Sequence, residues 1–150
     1  MITIFEALEK MKAIPEGIKK PKIIIVDDDL SFTTMLGDFL YDECKMRMDV
    51  YTNGESFLED FTAEDFRIII LDYYFDSNSN LTGIDILKAI KQKNKFAVVM
   101  MVSGQDDLEI AIETIRNGAT DYFYKGNKTV FANIVSSIVK LVELQKQQFN

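Results

Sequence analysis

Three dense apolar runs, each stopping dead at a polar residue, constrain this chain more than any other feature. Lys22 to Val26 (KIIIV) runs into Asp27-Asp28-Asp29, Phe66 to Leu71 (FRIIIL) into Asp72, and Ala97 to Val102 (AVVMMV) into Ser103-Gly104. Such runs lack the polar/apolar alternation of a half-exposed strand, so each predicts a strand covered on both faces. Two shorter strands are predicted over Met46 to Tyr51 and Asp121 to Tyr124, the second ending at Lys125. Between the strands, apolar residues recur at helical spacing. Phe32, Met35, Leu36, Phe39 and Leu40 make such a stripe within Leu30 to Cys44. Further helices are predicted over Glu55 to Phe61, Gly83 to Lys93, Leu108 to Arg116 and about Lys128 to Gln148, with Asn117-Gly118 stopping the fourth. Strands alternating with helices in this way specify an α/β domain with an open, parallel, doubly wound sheet of five strands.

Composition fits one such domain. The chain has 150 residues, of which 47% are hydrophobic and 27% charged, enough apolar material to bury a core. It contains no histidine and a single cysteine, Cys44, which excludes His-based triads and metal sites, Cys-rich zinc sites and internal disulfides. A lone thiol suits a reducing cytoplasm, and cytoplasmic localisation is expected. A net charge of −7 argues against direct binding to nucleic acid or an anionic membrane. No stretch has the roughly 18 apolar residues of a membrane span, and the first residues lack the apolar region of a signal peptide. Pro15 and Pro21 bracket the one linker-like stretch. The expected organisation is therefore an extension, 1–21, carrying a short amphipathic helix over about residues 3–12, and a main domain, 22–150.

Ligands of open α/β sheets bind beyond the carboxyl ends of the strands. There the sequence presents Asp27 and Asp28, Asp72, Ser103 and Lys125, while strand two ends in Tyr51-Thr52 and offers nothing comparable, which suits an edge. Carboxylates gathered this closely need a counter-charge. Mg²⁺, a hard ion that takes oxygen ligands and retains waters, is the natural one. Lys125 adds a compact positive charge and Ser103 a hydroxyl donor. Such a set suits phosphoryl transfer, where positioning and charge neutralisation do most of the catalysis, with Asp72 as nucleophile.

At these residues the sequence resembles the receiver domain of bacterial two-component response regulators. The resemblance rests on Ile23-Ile24-Ile25-Val26-Asp27-Asp28-Asp29, Ile68-Ile69-Ile70-Leu71-Asp72, Val102-Ser103-Gly104 and Gly118-Ala119-Thr120-Asp121-Tyr122-Phe123-Tyr124-Lys125, and covers about residues 22 to 147. It implies a flavodoxin-like sheet of strand order 2-1-3-4-5. It implies Asp72 as phosphoacceptor, and Asp27 and Asp28 with Asp72 and the backbone carbonyl of Tyr74 as the Mg²⁺ site. Ser103 then matches the hydroxyl that bonds the phosphoryl group and shifts on activation, Tyr122 the aromatic switch, and Lys125 the lysine that pairs with the phosphoryl oxygen. Tyr74 and Gln105, two past the acceptor and two past the serine, would flank the approach of hydrolytic water and set the lifetime of the phosphorylated state. The implied partners are a histidine kinase or phosphotransfer protein as donor and an unspecified downstream target. A homodimer through the face of the fourth helix, fifth strand and fifth helix is expected, drawing on the wide apolar surface of the last helix.

The sequence departs from the family pattern at particular places. No proline follows the acceptor soon after, and the expected glycine is Gly83, eleven past Asp72 rather than eight, implying a longer loop built from Asp76 to Asn80. Lys125 is followed by Gly126 rather than proline, so a cis peptide is not expected there. Asp29 reads as a helix cap or surface acid. Three alternatives accompany the main reading: a degenerate receiver acting as a phosphorylation-independent interaction module, a Mg²⁺-dependent phosphohydrolase with an Asp nucleophile, and a flavin-binding protein of the same fold. The hydrolase wants an acid two residues past its nucleophile, where Tyr74 stands. A flavin site wants a phosphate loop rich in Gly, Ser or Thr where three aspartates stand.

Overall fold

The computed structural model describes residues 22–62, 67–75 and 80–148. The strands are β1 (Lys22–Val26), β2 (Met48–Tyr51), β3 (Arg67–Asp72), β4 (Val98–Ser103) and β5 (Asp121–Tyr124). The helices are α1 (Leu30–Cys44), α2 (Gly54–Asp60), α3 (Gly83–Lys93), α4 (Leu108–Arg116) and α5 (Val130–Gln148). All pairings are parallel and the order is β2-β1-β3-β4-β5, the flavodoxin-like arrangement expected. The helix expected over 3–12, and most of the loop 76–80, lie outside the described residues.

The three apolar runs form the centre of the sheet, and their side chains divide between two cores by the period-two rule of a strand. Ile23, Ile25, Ile68, Ile70, Met100 and Val102 face the layer of α1 and α5, against Leu36, Leu40, Ile134, Val135 and Ile138. Ile24, Val26, Ile69, Leu71, Val99 and Met101 face the other layer, against Phe57 of α2 and Ile84, Leu87 and Ile90 of α3. Each fully buried side chain of this kind stabilises the fold by about 1.5–3 kcal/mol relative to exposure. Covering both faces is what an unalternating strand requires.

Boundaries differ from expectation where local caps decide them. β2 begins at Met48 rather than Met46, because α1 ends on Lys45 in the left-handed conformation (φ 55°) and the chain needs two more residues to reach the sheet. α2 spans Gly54–Asp60 because the Asn53 side chain caps it by accepting from the Ser56 amide, and Phe61 is already extended. α5 begins at Val130, after a turn in which Asn127 accepts from the Thr129 amide. The wide apolar face read on α5 is mostly core: Ile134, Val135, Ile138, Val139 and Val142 are buried, and Leu144 stands exposed. Among the exposed apolar residues, Leu108, Ile112 and Ile115 lie together on α4. Among the described residues no helix is long and apolar enough to cross a membrane.

Candidate functional site

Register brings the polar strand ends together. Val26 pairs with Leu71, so the next residues, Asp27 and Asp72, emerge side by side from β1 and β3. Asp72 pairs with Val102 and Ser103 with Tyr124, which sets Ser103 and Lys125 at the ends of β4 and β5. Backbone bonds extend the sheet past its strands: the Tyr73 amide donates to the Val102 carbonyl (3.0 Å) and the Lys125 amide to that of Ser103 (2.8 Å).

Asp27, Asp72 and Ser103 are buried. One carboxylate oxygen each from Asp27, Asp28 and Asp72 lies within 4.8 Å of those of the other two. The Lys125 ammonium lies 2.8 Å from Asp27 Oδ2, 3.4 Å from Asp72 Oδ1 and 3.7 Å from Asp29 Oδ2. Asp27 Oδ1 accepts from the Asp29 amide (2.9 Å), and the buried Oδ2 has the Lys125 ammonium as its partner. Loss of solvent, and then the neighbouring Asp27 charge, push the Asp72 carboxyl up to about 8, against the pull of Lys125. Burial also raises Asp27. Burial alone would lower Lys125, but the hydrogen bond to Asp27 and the charges of Asp72, Asp27 and Asp29 together raise it. One ammonium therefore leaves the acids short of positive charge. Clustered hard oxygens with too little positive charge beside them fit a Mg²⁺ ion; Asp27, Asp28 and Asp72 are the residues able to hold it.

Asp29 caps α1, its carboxylate accepting from the Phe32 amide (3.1 Å). Its second role, facing Lys125, was not legible in the sequence. Phe32 was read only as part of a helical stripe, yet its ring centroid is 4.8 Å from the Lys125 ammonium; which member of a stripe meets a distant lysine depends on how α1 lies across the sheet. Ser103 Oγ accepts from the Gln105 amide (3.1 Å). The Tyr122 hydroxyl donates to the Gln105 carbonyl (2.6 Å), tying β5 to the loop after β4. Gln105 itself is exposed. Tyr74 is exposed too, its ring edge-on to that of Tyr73 at 4.5 Å. The peptide following Lys125 is trans, as are all those described.

A five-stranded parallel sheet with an acidic crevice and one lysine at its carboxyl edge defines the class: a flavodoxin-like α/β domain with a cation-ready pocket. Comparison narrows it. The model of the response regulator receiver domain matches residues 23–135. The transcriptional regulatory protein FixJ of Bradyrhizobium diazoefficiens is 26% identical over 106 residues, 71% of this chain and 50% of FixJ. The receiver domain of NtrX from Brucella abortus is 27% identical with a TM-score of 0.68, over 79% of this chain and 97% of that one. The BeF3-activated receiver of DrrB, a Thermotoga maritima protein, is 25% identical with a TM-score of 0.66, over 81% and 99%. The chain belongs to the response regulator receiver domain family. It is thus a signalling domain of two-component regulators rather than a conventional enzyme, and domains of this family generally bind Mg²⁺ at an aspartate cluster. The chain spans about half the length of FixJ and 22% of the transcriptional regulatory protein ZraR of Klebsiella oxytoca.

Proposed function

We propose that this chain is a phosphorylation switch whose acceptor is Asp72. A histidine kinase or phosphotransfer protein supplies the phosphoryl group, because this chain has no histidine of its own. An Asp72 carboxylate oxygen attacks the donor phosphorus. The O–P bond forms as the donor's N–P bond breaks, and the electron pair leaves with the imidazole nitrogen. Asp27, Asp28, Asp72 and the Tyr74 carbonyl would hold Mg²⁺, which neutralises charge on the acids and the transferring group. Lys125 bonds a phosphoryl oxygen, and Ser103 turns its hydroxyl from the Gln105 amide toward another. The Tyr122 bond to the Gln105 carbonyl then links that movement to β5 and α4, where a second copy of the chain or a downstream target reads it. The observation that carries this reading is the cluster itself: three acids within 4.8 Å and a lysine ammonium 3.4 Å from the acceptor. A phosphohydrolase with an Asp nucleophile wants a second carboxylic acid two residues on, and Tyr74 stands there, which disfavours that reading.

Incubation with acetyl phosphate and Mg²⁺, read by intact mass, tests the proposal. The wild type should gain one acid- and base-labile, hydroxylamine-sensitive phosphoryl group and Asp72→Asn none, with its circular dichroism unchanged. Undiminished labelling of Asp72→Asn overturns the assignment. A wild type that neither takes label nor binds Mg²⁺ is a degenerate receiver acting as an interaction module.

A further inference from the structure

Lys125 is held by more than acids. Its side chain is 13% exposed, and besides the carboxylates of Asp27, Asp72 and Asp29 it meets the Phe32 ring, 4.8 Å from ammonium to centroid. That distance is inside the range in which an aromatic quadrupole attracts a cation, and exclusion of water strengthens the attraction. Phe32 is itself fixed. It is 8% exposed and packs in the α1/α5 core, its ring 5.7 Å from that of Phe131, which in turn lies 5.7 Å from Phe39. Its amide donates to Asp29 Oδ1, so the first turn of α1 meets Lys125 through both a ring and a carboxylate.

We propose that Phe32 is a positioning residue for Lys125, holding the ammonium over the acceptor through its ring face and anchoring it to α5 through Phe131. The two kinds of partner behave differently as the site fills. The pull of the carboxylates on Lys125 weakens whenever their oxygens are shared with a metal or one of them is bonded to a phosphoryl group. The ring quadrupole does not change with occupancy. Phe32 therefore keeps the lysine in reach of an incoming phosphoryl oxygen when its ion pairs loosen. The ring does not touch the reacting atoms, so its effect on transfer passes through Lys125. The inference rests on Asp72 as phosphoacceptor.

The test compares Phe32→Leu, which removes the ring, with Phe32→Tyr, which keeps it. In the metal-free protein, the Lys125 ε-methylene protons should resonate upfield through the ring current in wild type and Phe32→Tyr, and lose that shift in Phe32→Leu. Labelling of Asp72 by acetyl phosphate should slow about fivefold in Phe32→Leu and stay within about twofold in Phe32→Tyr, the scale of one cation–π contact. Mg²⁺ affinity should be the same in all three. Phe32→Met, of larger side chain, gives the same comparison should Leu leave the core too loose to fold. Equal slowing in Leu and Tyr variants means packing alone and overturns the proposal, as does absence of the upfield shift in wild type. A labelled wild type with an equally fast Leu variant overturns the role of Phe32 alone, whereas a wild type that takes no label overturns the phosphoacceptor reading beneath it.

Discussion

At the residue scale, the proposed phosphorylation of Asp72 makes Tyr74 a candidate shield, because water must approach phosphorus in line with the Asp72 oxygen for such a state to decay. The Tyr74 ring leans edge-on against Tyr73, whose hydroxyl donates to Glu113 Oε2 (3.4 Å). Burial, then Glu113, raises the Tyr73 phenol and keeps that proton in place. A ring steadied this way is a better shield than a free one, and the neutral Gln105 supplies no base to oppose it. Tyr74→Asn should therefore speed autodephosphorylation about tenfold, equivalent to about 1.4 kcal/mol in the barrier. Decay of phosphorylated protein followed by mass or phosphate release measures it, and equal half-lives dismiss the shield. The sequence located Tyr74 but not its stacking, which needs the path of the loop. Asp72 also leaves a thermodynamic mark. Its carboxyl is raised from the ordinary 3.8 to about 8, so between those values the folded state keeps a proton that the unfolded state has released. Stability from this group is thus lost as pH rises across that window and levels off above it. In metal-free protein the melting temperature should fall more steeply between about pH 5 and about pH 8 in wild type than in Asp72→Asn, whose amide cannot ionise. Millimolar Mg²⁺ should remove most of the difference, because a bound cation stabilises the charged carboxylate. Identical metal-free slopes in the two proteins contradict the shifted carboxyl.

Elements transmit these residue effects only where backbones meet, and Gly83 is such a point. It opens α3, and its amide donates to the Tyr73 carbonyl (2.9 Å). A Cβ there would sit 2.7 Å from Tyr73 Cα and closer still to the Asp72 carbonyl oxygen. The helix N-terminus is thus pressed against the Asp72–Tyr73 backbone, and only glycine permits it. Its distance from Asp72 in sequence matters less than this contact, so a longer loop between them leaves the requirement intact. Gly83→Ala should cost about 1–3 kcal/mol of stability, as overpacking does, and slow labelling of Asp72 by shifting the loop that follows it. Urea denaturation with the labelling assay checks both, and an Ala variant as stable and as quickly labelled as wild type shows that α3 can retreat freely. Much at this scale was legible. Apolar runs without alternation announced strands covered on both faces, and Asn117-Gly118 marked the end of α4, where Gly118 adopts φ 98°. The starts of β2 and α5 were not, because Lys45 in a left-handed cap and the Asn127 turn override the apolar pattern of Met46 and of the residues after Lys128. At the site, the strand-end residues were readable from register alone. The contacts of Phe32 and Asp29 with Lys125 were not, since they depend on the angle at which α1 crosses the sheet.

At the scale of the whole molecule, the proposed switch needs a surface that a second copy can read. The sequence pointed to the face of α4, β5 and α5 and drew on the wide apolar surface of α5, but the sheet consumes that surface: Ile134, Ile138 and Val139 are at most 1% exposed. A helix at the edge of a doubly wound sheet buries more of its circumference than a single stripe suggests, and no periodicity reports how deeply it sits. α4 is the opposite case. Leu108, Ile112 and Ile115, spaced four and three apart, form one outward stripe, 75%, 42% and 49% exposed. Glu109, Glu113 and Arg116 share the helix with them. In a two-fold pair the stripe meets itself while Arg116 of each copy can face the acids of the other, the self-complementarity an isologous contact requires. Three side chains fall short of the roughly 1,000 Å² of a lasting interface, so the pair should be weak and depend on activation through Tyr122 and the loop leading into α4. Beryllofluoride with Mg²⁺ should therefore shift the protein from monomer toward dimer in multi-angle light scattering at about 100 μM, a concentration suited to such a small contact. Ile112→Glu, which sets a charge in the middle of the stripe, should leave Mg²⁺ binding and Asp72 labelling intact while abolishing the shift. A wild type that stays monomeric with beryllofluoride rejects the dimer, and an Ile112→Glu variant that still dimerises moves the interface off α4.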